Sequence, residues 1–303
     1  MSARRYAFGL VIESEIDLPE LPLAAVGEAA DVEIRLVRLP PADRPSLHLR
    51  DGEVFLRIRD VAHFRFRAGR EIAVDVAPGA SPRQVRAFLL GSAIGVLCHQ
   101  RGLLPLHASA IVTAGRAIAF AGPSGAGKST LAAHFQSRGQ QSLCDDVCVV
   151  SFGADGRPLA WSAASHAKLW GDSLRQLGRE AATLERARPD ENKYLLPALA
   201  QHAGAAPLDR VYLLGAAATP GLEVRRLAGL AAARAVLANV YRAEFAQVMG
   251  LSTQVFALAT ALARQTGVFT ATRAWRFGAF TADAAALEAH FAERPAALEG
   301  VAP

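Results

Sequence analysis

Residues 122–129 read Gly-Pro-Ser-Gly-Ala-Gly-Lys-Ser, and this octet constrains the fold more than any other part of the chain. The pattern G-x-x-x-x-G-K-S works where a strand delivers it and a helix leaves it. Backbone N–H groups of the loop must turn inward around phosphate oxygens, and the helix N-terminus must add its positive end. Both neighbours are present. Residues 116–121 (RAIAFA) form an apolar run of strand length, and residues 129–138 (STLAAHFQSR) are helix-forming. Strand, loop and helix together imply an α/β fold that binds a nucleoside triphosphate. Gly122, Pro123, Ser124, Gly125, Ala126 and Gly127 would wrap the phosphates. Lys128 would reach the β- and γ-phosphates, and Ser129, followed by Thr130, would offer a hydroxyl to Mg²⁺. The plain alternative, a glycine-rich turn matching by chance, does not account for the context on both sides.

The rest of the composition narrows the class. The chain has 303 residues, 51% hydrophobic and 20% charged, enough for a sizeable core. No uninterrupted apolar run approaches the roughly 18 residues of a membrane span. The first residues meet acidic side chains before any long apolar stretch, unlike a signal peptide. Cys98, Cys144 and Cys148 are an odd and sparse set with no further cysteine to complete a zinc site, so a reduced, cytoplasmic compartment is expected. A net charge of +5 with no basic tract interleaved with aromatics gives no reason to expect nucleic acid as a partner. Of 33 basic residues only Lys128, Lys168 and Lys193 are lysines. Against that arginine bias each lysine is notable, because a compact ammonium is not a guanidinium. For Lys168 and Lys193 solvated surface is the plainer reading.

Residues 1–80 carry strand-like alternation broken by Asp51-Gly52 and Ala68-Gly69 turns, which predicts a small β-rich accessory domain for substrate recognition. Ser81-Pro82 suits a helix start. From there residues 81–303 are expected to form a P-loop domain. Residues 104–113 (LPLHASAIVT) read as one strand, joined to the P-loop strand by a turn at Ala114-Gly115. Residues 142–152 (SLCDDVCVVSF) read as another. Residues 163–207 are polar and partly helical, and 210–214 a buried strand. Residues 226–248 and 252–264 read as alanine-rich helices, 270–277 as a last strand and 282–291 as a last helix.

Asp145-Asp146 follows the P-loop by about one helix and one turn. A phosphate-bound Mg²⁺ calls for a carboxylate opposite the P-loop hydroxyl, and a transferase calls for a group that orients or deprotonates the attacking hydroxyl. Adjacent strand residues point to opposite faces, so both aspartates reach one site only where the strand ends or bulges. Otherwise one is functional and the other a structural neighbour. His107 lies inside an otherwise apolar strand, where a lone histidine is more often a satisfied core residue.

Leu106-His-Ala-Ser-Ala-Ile111, the P-loop octet and Asp145-Asp146 together resemble the catalytic core of the HPr kinase/phosphorylase family. That resemblance implies a P-loop kinase fold using ATP and Mg²⁺ to phosphorylate a serine hydroxyl of a protein. It implies that Asp146 is the base, that His107 assists it, and that Asp145 lies near the metal. Family members assemble as hexamers, which implies a homo-oligomer. The family's second signature, E-[VI]-R-G-x-G, has no match in residues 157–200, where Ala167-Lys-Leu-Trp-Gly-Asp172 stands instead. In this the chain is similar to the family's relatives in gene clusters for modified peptides, among them the lasso-peptide kinases, which phosphorylate the C-terminal serine of a precursor. The Gly9-Leu…Ser14-Glu-Ile…Leu18-Pro segment and Glu191-Asn-Lys-Tyr194 share that likeness. It implies that Lys193 and Arg273 or Arg276 contact phosphate or carboxylate. Two other readings are a regulatory kinase of an HPr-type phosphocarrier and a non-catalytic, nucleotide-gated peptide-binding module.

Overall fold

The computed structural model describes residues 4–40, 46–163, 166–187, 191–217, 221–274 and 277–293. Seven strands come first: β1 (Arg5–Ala7), β2 (Leu10–Ser14), β3 (Val32–Leu36), β4 (Ser46–Arg50), β5 (Glu53–Ile58), β6 (Ala62–Arg67) and β7 (Glu71–Val76). They form one sheet in the order β1-β2-β3-β7-β6-β5-β4. Alternation explains its faces. Phe64 and Phe66 of β6 are fully buried, while Arg65 and Arg67 project the other way and pair with Glu71 and Glu53.

Helix α1 (Pro82–Phe88) starts on a capping box. Ser81 Oγ accepts from the Gln84 N–H at 3.2 Å, and the Gln84 side chain accepts from the Ser81 N–H at 3.1 Å. A π-helical turn at Leu89–Ala93 leads into α2 (Ile94–Gln100). Both lie close to Tyr241: a Cβ on Gly91 of the turn would lie 3.3 Å from its hydroxyl, and one on Gly95 of α2 would lie 3.1 Å from its ring.

Next come β8 (Leu104–Leu106), β9 (Ala108–Thr113) and β10 (Arg116–Ala121), then α3 (Lys128–Ser137), β11 (Gln141–Cys144), β12 (Cys148–Phe152) and β13 (Pro158–Trp161). A separate hairpin is made by β14 (His166–Trp170) and β15 (Lys193–Pro197), with α4 (Gly171–Gln176) between them. The chain ends with β16 (Ala205–Ala216), β17 (Glu223–Leu227), α5 (Gly229–Leu237), α6 (Ala243–Val248), α7 (Ser252–Gln265), β18 (Gly267–Arg273) and α8 (Phe280–Ala292). The second sheet runs β11-β9-β10-β16-β13-β12-β8, with β18 beside β16 and β17 beside β18. The expected hairpin of β9 and β10 is present, while β10, β16 and β18 are mutually parallel. Their carboxyl ends therefore meet at one edge, the place where open α/β sheets bind ligands. That edge carries Gly122 at the end of β10 and Arg273 at the end of β18.

The protein is thus an α/β structure with a β-rich N-terminal region. β10 is buried on both faces, which is why it reads as a continuous apolar run. Ala117, Ala119 and Ala121 join a core that reaches back to Phe64, Ile72 and Leu97. Ile118 and Phe120 face a second core with Leu131, Phe135 and Phe291.

Three elements differ from the sequence reading. Residues 104–113 are two strands, not one, because the chain changes partners at His107: β8 pairs with β12, whereas β9 pairs with β10 and β11. The His107 N–H leaves the ladder and donates to the Asn239 carbonyl at 2.7 Å. Residues 142–152 break in the same way at residues 145–147, where Asp146 takes a left-handed φ of +71°. The expected helix over 226–248 begins as strand β17, paired with β18, and is interrupted at 238–242. There the Tyr241 N–H donates to the Pro105 carbonyl, so backbone pairing with β8 overrides alanine-rich helix propensity.

Candidate active site

Gly122 ends β10 at φ +136°, and a Cβ there would sit 2.7 Å from the Leu214 carbonyl oxygen of the neighbouring strand. Only glycine allows the loop to leave the sheet this close to β16. Gly122→Ala is therefore expected to displace the loop: nucleotide affinity should fall by about tenfold or more, with a lowered unfolding midpoint. Titration calorimetry alongside a thermal melt checks this.

Beyond Gly122 the loop lines a cavity with Ser124, Gly125, Gly127, Lys128, Ser129 and Thr130. Gly122, Pro123 and Ala126 are not part of that lining: Gly122 and Ala126 are buried and Pro123 is exposed. The Ala126 N–H donates to the Pro123 carbonyl at 3.1 Å. The Thr130 hydroxyl turns to Ser173 Oγ at 2.9 Å. All three protons of the Lys128 ammonium are used: Nζ donates to Gly122 O at 2.8 Å, Pro123 O at 3.1 Å and His107 Nε2 at 3.0 Å. Burial pulls the Lys128 pKa below its ordinary value, against the opposing pull of Asp146 and Asp145. Since Nε2 accepts from Lys128, the His107 proton is assigned to Nδ1, which donates to the Asp146 carbonyl at 3.1 Å. His107 thus bridges the P-loop lysine and the aspartate turn.

The paired strand breaks place both aspartates on one side. The Ser109 hydroxyl donates to Asp145 Oδ1 at 2.5 Å and lies 3.5 Å from the Ser129 hydroxyl. This all-oxygen set suits a hard cation. Mg²⁺ is held through one or two protein oxygens plus phosphates and waters, so Ser129 and Asp145 fit it. Asp146 Oδ1 lies 3.4 Å from His107 Nδ1, and its Oδ2 accepts from Lys168 Nζ at 3.1 Å. Burial would raise the Asp146 pKa, but Lys168, His107 and Lys128 outweigh it and hold the carboxyl below its ordinary value. At neutral pH it is a carboxylate able to accept a proton. Burial likewise works against the Lys168 ammonium, and Asp146 beside it more than compensates, raising its pKa.

For Lys168 the sequence favours solvated surface, whereas the structure places its ammonium on Asp146. All three lysines of the chain line this one cavity. Rarity in an arginine-rich sequence was the available signal. Trp170, 43% exposed, also lines it and lies under the Lys193 ammonium at 4.6 Å. Lys193 Nζ is 3.7 Å from Glu191 as well. Arg273 reaches the cavity from the end of β18 and stacks over Phe280 at 5.2 Å, with burial lowering its pKa. Arg276 lies outside the described residues. His107, Lys128, Ser129, Asp145, Asp146, Lys193 and Arg273 are therefore gathered at one cavity, although they come from five separated stretches of sequence. Among the described residues no helix is long and apolar enough to cross a membrane.

No family model matches this chain, and neither does any curated protein. Among solved structures, the HPr(Ser) kinase/phosphatase from Coxiella burnetii is similar over 62% of this chain and 97% of that one, at a TM-score of 0.32 and 11% identity. A likeness that weak carries no argument about activity. The functional reading rests on the P-loop and on the side chains gathered around it.

Proposed function

We propose that this protein is an ATP- and Mg²⁺-dependent kinase that phosphorylates a serine hydroxyl of a peptide or protein. The C-terminal serine of a lasso-peptide precursor is the preferred acceptor. The observation that carries the reading is the contact chain Lys128–His107–Asp146 at the mouth of the P-loop. A group that grips phosphate and a carboxylate that can take a proton share one cavity, which is what transfer to a hydroxyl requires.

In this reading Lys128 leaves the loop carbonyls for the β- and γ-phosphates while the backbone of 124–129 wraps them. Ser129 and Asp145 would hold Mg²⁺, which when bound neutralises phosphate charge. The serine oxygen attacks the γ-phosphorus in line. Its new P–O bond forms as the bond to the β–γ bridging oxygen breaks, ADP departs, and the hydroxyl proton passes to the Asp146 carboxylate. Positioning supplies most of the rate, because phosphoryl transfer asks little covalent chemistry of the protein. Lys193 and Arg273 contact acceptor carboxylate or phosphate. Residues 1–80 form the accessory domain for substrate recognition and 81–303 the kinase domain. The protein acts in the cytoplasm as a homo-oligomer.

Intact-mass spectrometry tests this. A serine-ending precursor peptide and an HPr-type protein are incubated side by side with the protein, ATP and Mg²⁺. The peptide alone is expected to gain phosphate. Gain on the HPr-type protein alone would establish the regulatory-kinase reading instead. Tight ATP binding with gain on neither would favour the nucleotide-gated binding module.

A further inference from the structure

Asp145 and Asp146 are like charges on adjacent residues, and Asp146 sits on a left-handed turn that is strained for a residue with a Cβ. Each carboxylate is held on one oxygen from within the sheet. Ser109 bonds Asp145 Oδ1, and His107 approaches Asp146 Oδ1. The second oxygen of each is held from outside the sheet, by a single residue. The Lys168 backbone N–H donates to Asp145 Oδ2 at 2.8 Å, and the Lys168 ammonium donates to Asp146 Oδ2 at 3.1 Å.

That residue is firmly placed. Its neighbours Ala167 and Leu169 are buried, pair with Leu196 and Tyr194 of β15, and pack with Ala133 of α3 and Leu174 of α4. Alternation then turns Lys168 away from this small core and toward the aspartates. Ser173 of α4 bonds Thr130 at the start of α3, the helix that leaves the P-loop. The hairpin is thus fastened to the phosphate-binding element at one point and to both carboxylates at another. The other cavity lysine does not share this role, because Lys193 is engaged by Trp170 and Glu191.

We infer that Lys168 is a positioning residue for phosphoryl transfer, fixing both carboxylates relative to the P-loop through its backbone N–H and its ammonium. This rests on the kinase reading above. The ammonium supplies charge balance for the aspartate pair, which stays in place when Lys128 is drawn to phosphate. It also fixes which way Asp146 presents its free lone pairs. A displacement of about 1 Å at a reacting group costs on the order of 100-fold in rate.

The test compares Lys168→Met and Lys168→Arg with the wild type, using whichever acceptor the wild type phosphorylates. For Lys168→Met, kcat is expected to fall about 100-fold while the KM for ATP stays within about threefold. Lys168→Arg is expected to regain most of the loss, because it restores a cation on the same carboxylate. An unchanged kcat in Lys168→Met would overturn the inference. So would an equal loss in both variants together with a lowered unfolding midpoint, since that marks a merely structural role. A second measurement needs no acceptor. With three lysines, protein labelled with ¹⁵N-lysine gives three Nζ signals. The signal missing from Lys168→Arg is expected to move in Asp146→Asn, and its staying put would overturn the contact. Should the wild type transfer phosphate to no acceptor while that signal moves, the kinase reading falls and the clamp on Asp146 stands.

Discussion

Lys128→Ala is expected to abolish phosphoryl transfer. The ammonium is the charge that can move from the loop to the phosphates, and the structure shows what holds it ready: two loop carbonyls and His107 Nε2, all within 3.1 Å. Those partners orient it without neutralising it, and burial already depresses its pKa, so the site gains by giving the ammonium a phosphate. Losing a preorganised charge of this kind costs about 10²–10³ in rate. Here the loss is compounded, because Gly122 O, Pro123 O and His107 lose their shared donor. Weaker ATP binding is expected too, by the roughly 1.5–3 kcal/mol of a charged hydrogen bond. Single-turnover transfer from γ-labelled ATP reads the rate, and calorimetry reads the binding. A variant that kept most of the wild-type transfer rate would remove the P-loop assignment.

Asp146→Asn separates chemistry from binding. The amide fills the same space and tolerates the left-handed φ of +71° about as well as the acid, so the turn between β11 and β12 should survive. The amide cannot accept the hydroxyl proton. Loss of a positioned base costs typically 10²–10⁴-fold, and that fall is expected in kcat with ATP affinity little changed. Lys128 meets the Asp146 carboxylate only through His107, which explains the split. Rapid-quench transfer beside equilibrium nucleotide binding measures both halves. Equal transfer by variant and wild type would show that some other group takes the proton.

The strand, loop and helix of residues 116–138 were legible because their signals are local. RAIAFA is apolar on both faces, the glycines need special backbone angles, and the helix follows without a break. The capping box at Ser81 and Gln84 was legible for the same reason. The breaks at His107 and Asp146 were not, since each arises where a strand exchanges one partner for another far away in sequence. The sequence offers an apolar run interrupted by His107 in one place and by Asp145-Asp146 in the other, with no glycine or proline at either break. That exchange brings the two aspartates to one side, and the single-strand reading would have separated them. Residues 226–248 were misread because alanine-rich propensity favours a helix, while pairing with β18 takes Glu223–Leu227 as a strand and pairing with β8 interrupts the remainder. Lys168 reads as solvated surface in the sequence because its role depends on the register of a hairpin closed by residues 193–197. Composition alone hinted at it: among 33 basic residues the three lysines meet at one cavity.

The central claim is direct transfer of the γ-phosphoryl group of ATP to a serine oxygen at this cavity. The measurement that meets it most directly uses ATP with ¹⁸O throughout its γ-phosphate, a serine-ending precursor peptide, and mass spectrometry of the product with fragmentation. The account predicts phosphate on the serine with every non-bridging oxygen labelled and the serine's own oxygen unlabelled, formed at least about 100-fold more slowly with Asp146→Asn. An unmodified peptide beside tight ATP binding, or phosphate on a residue other than serine, would contradict it.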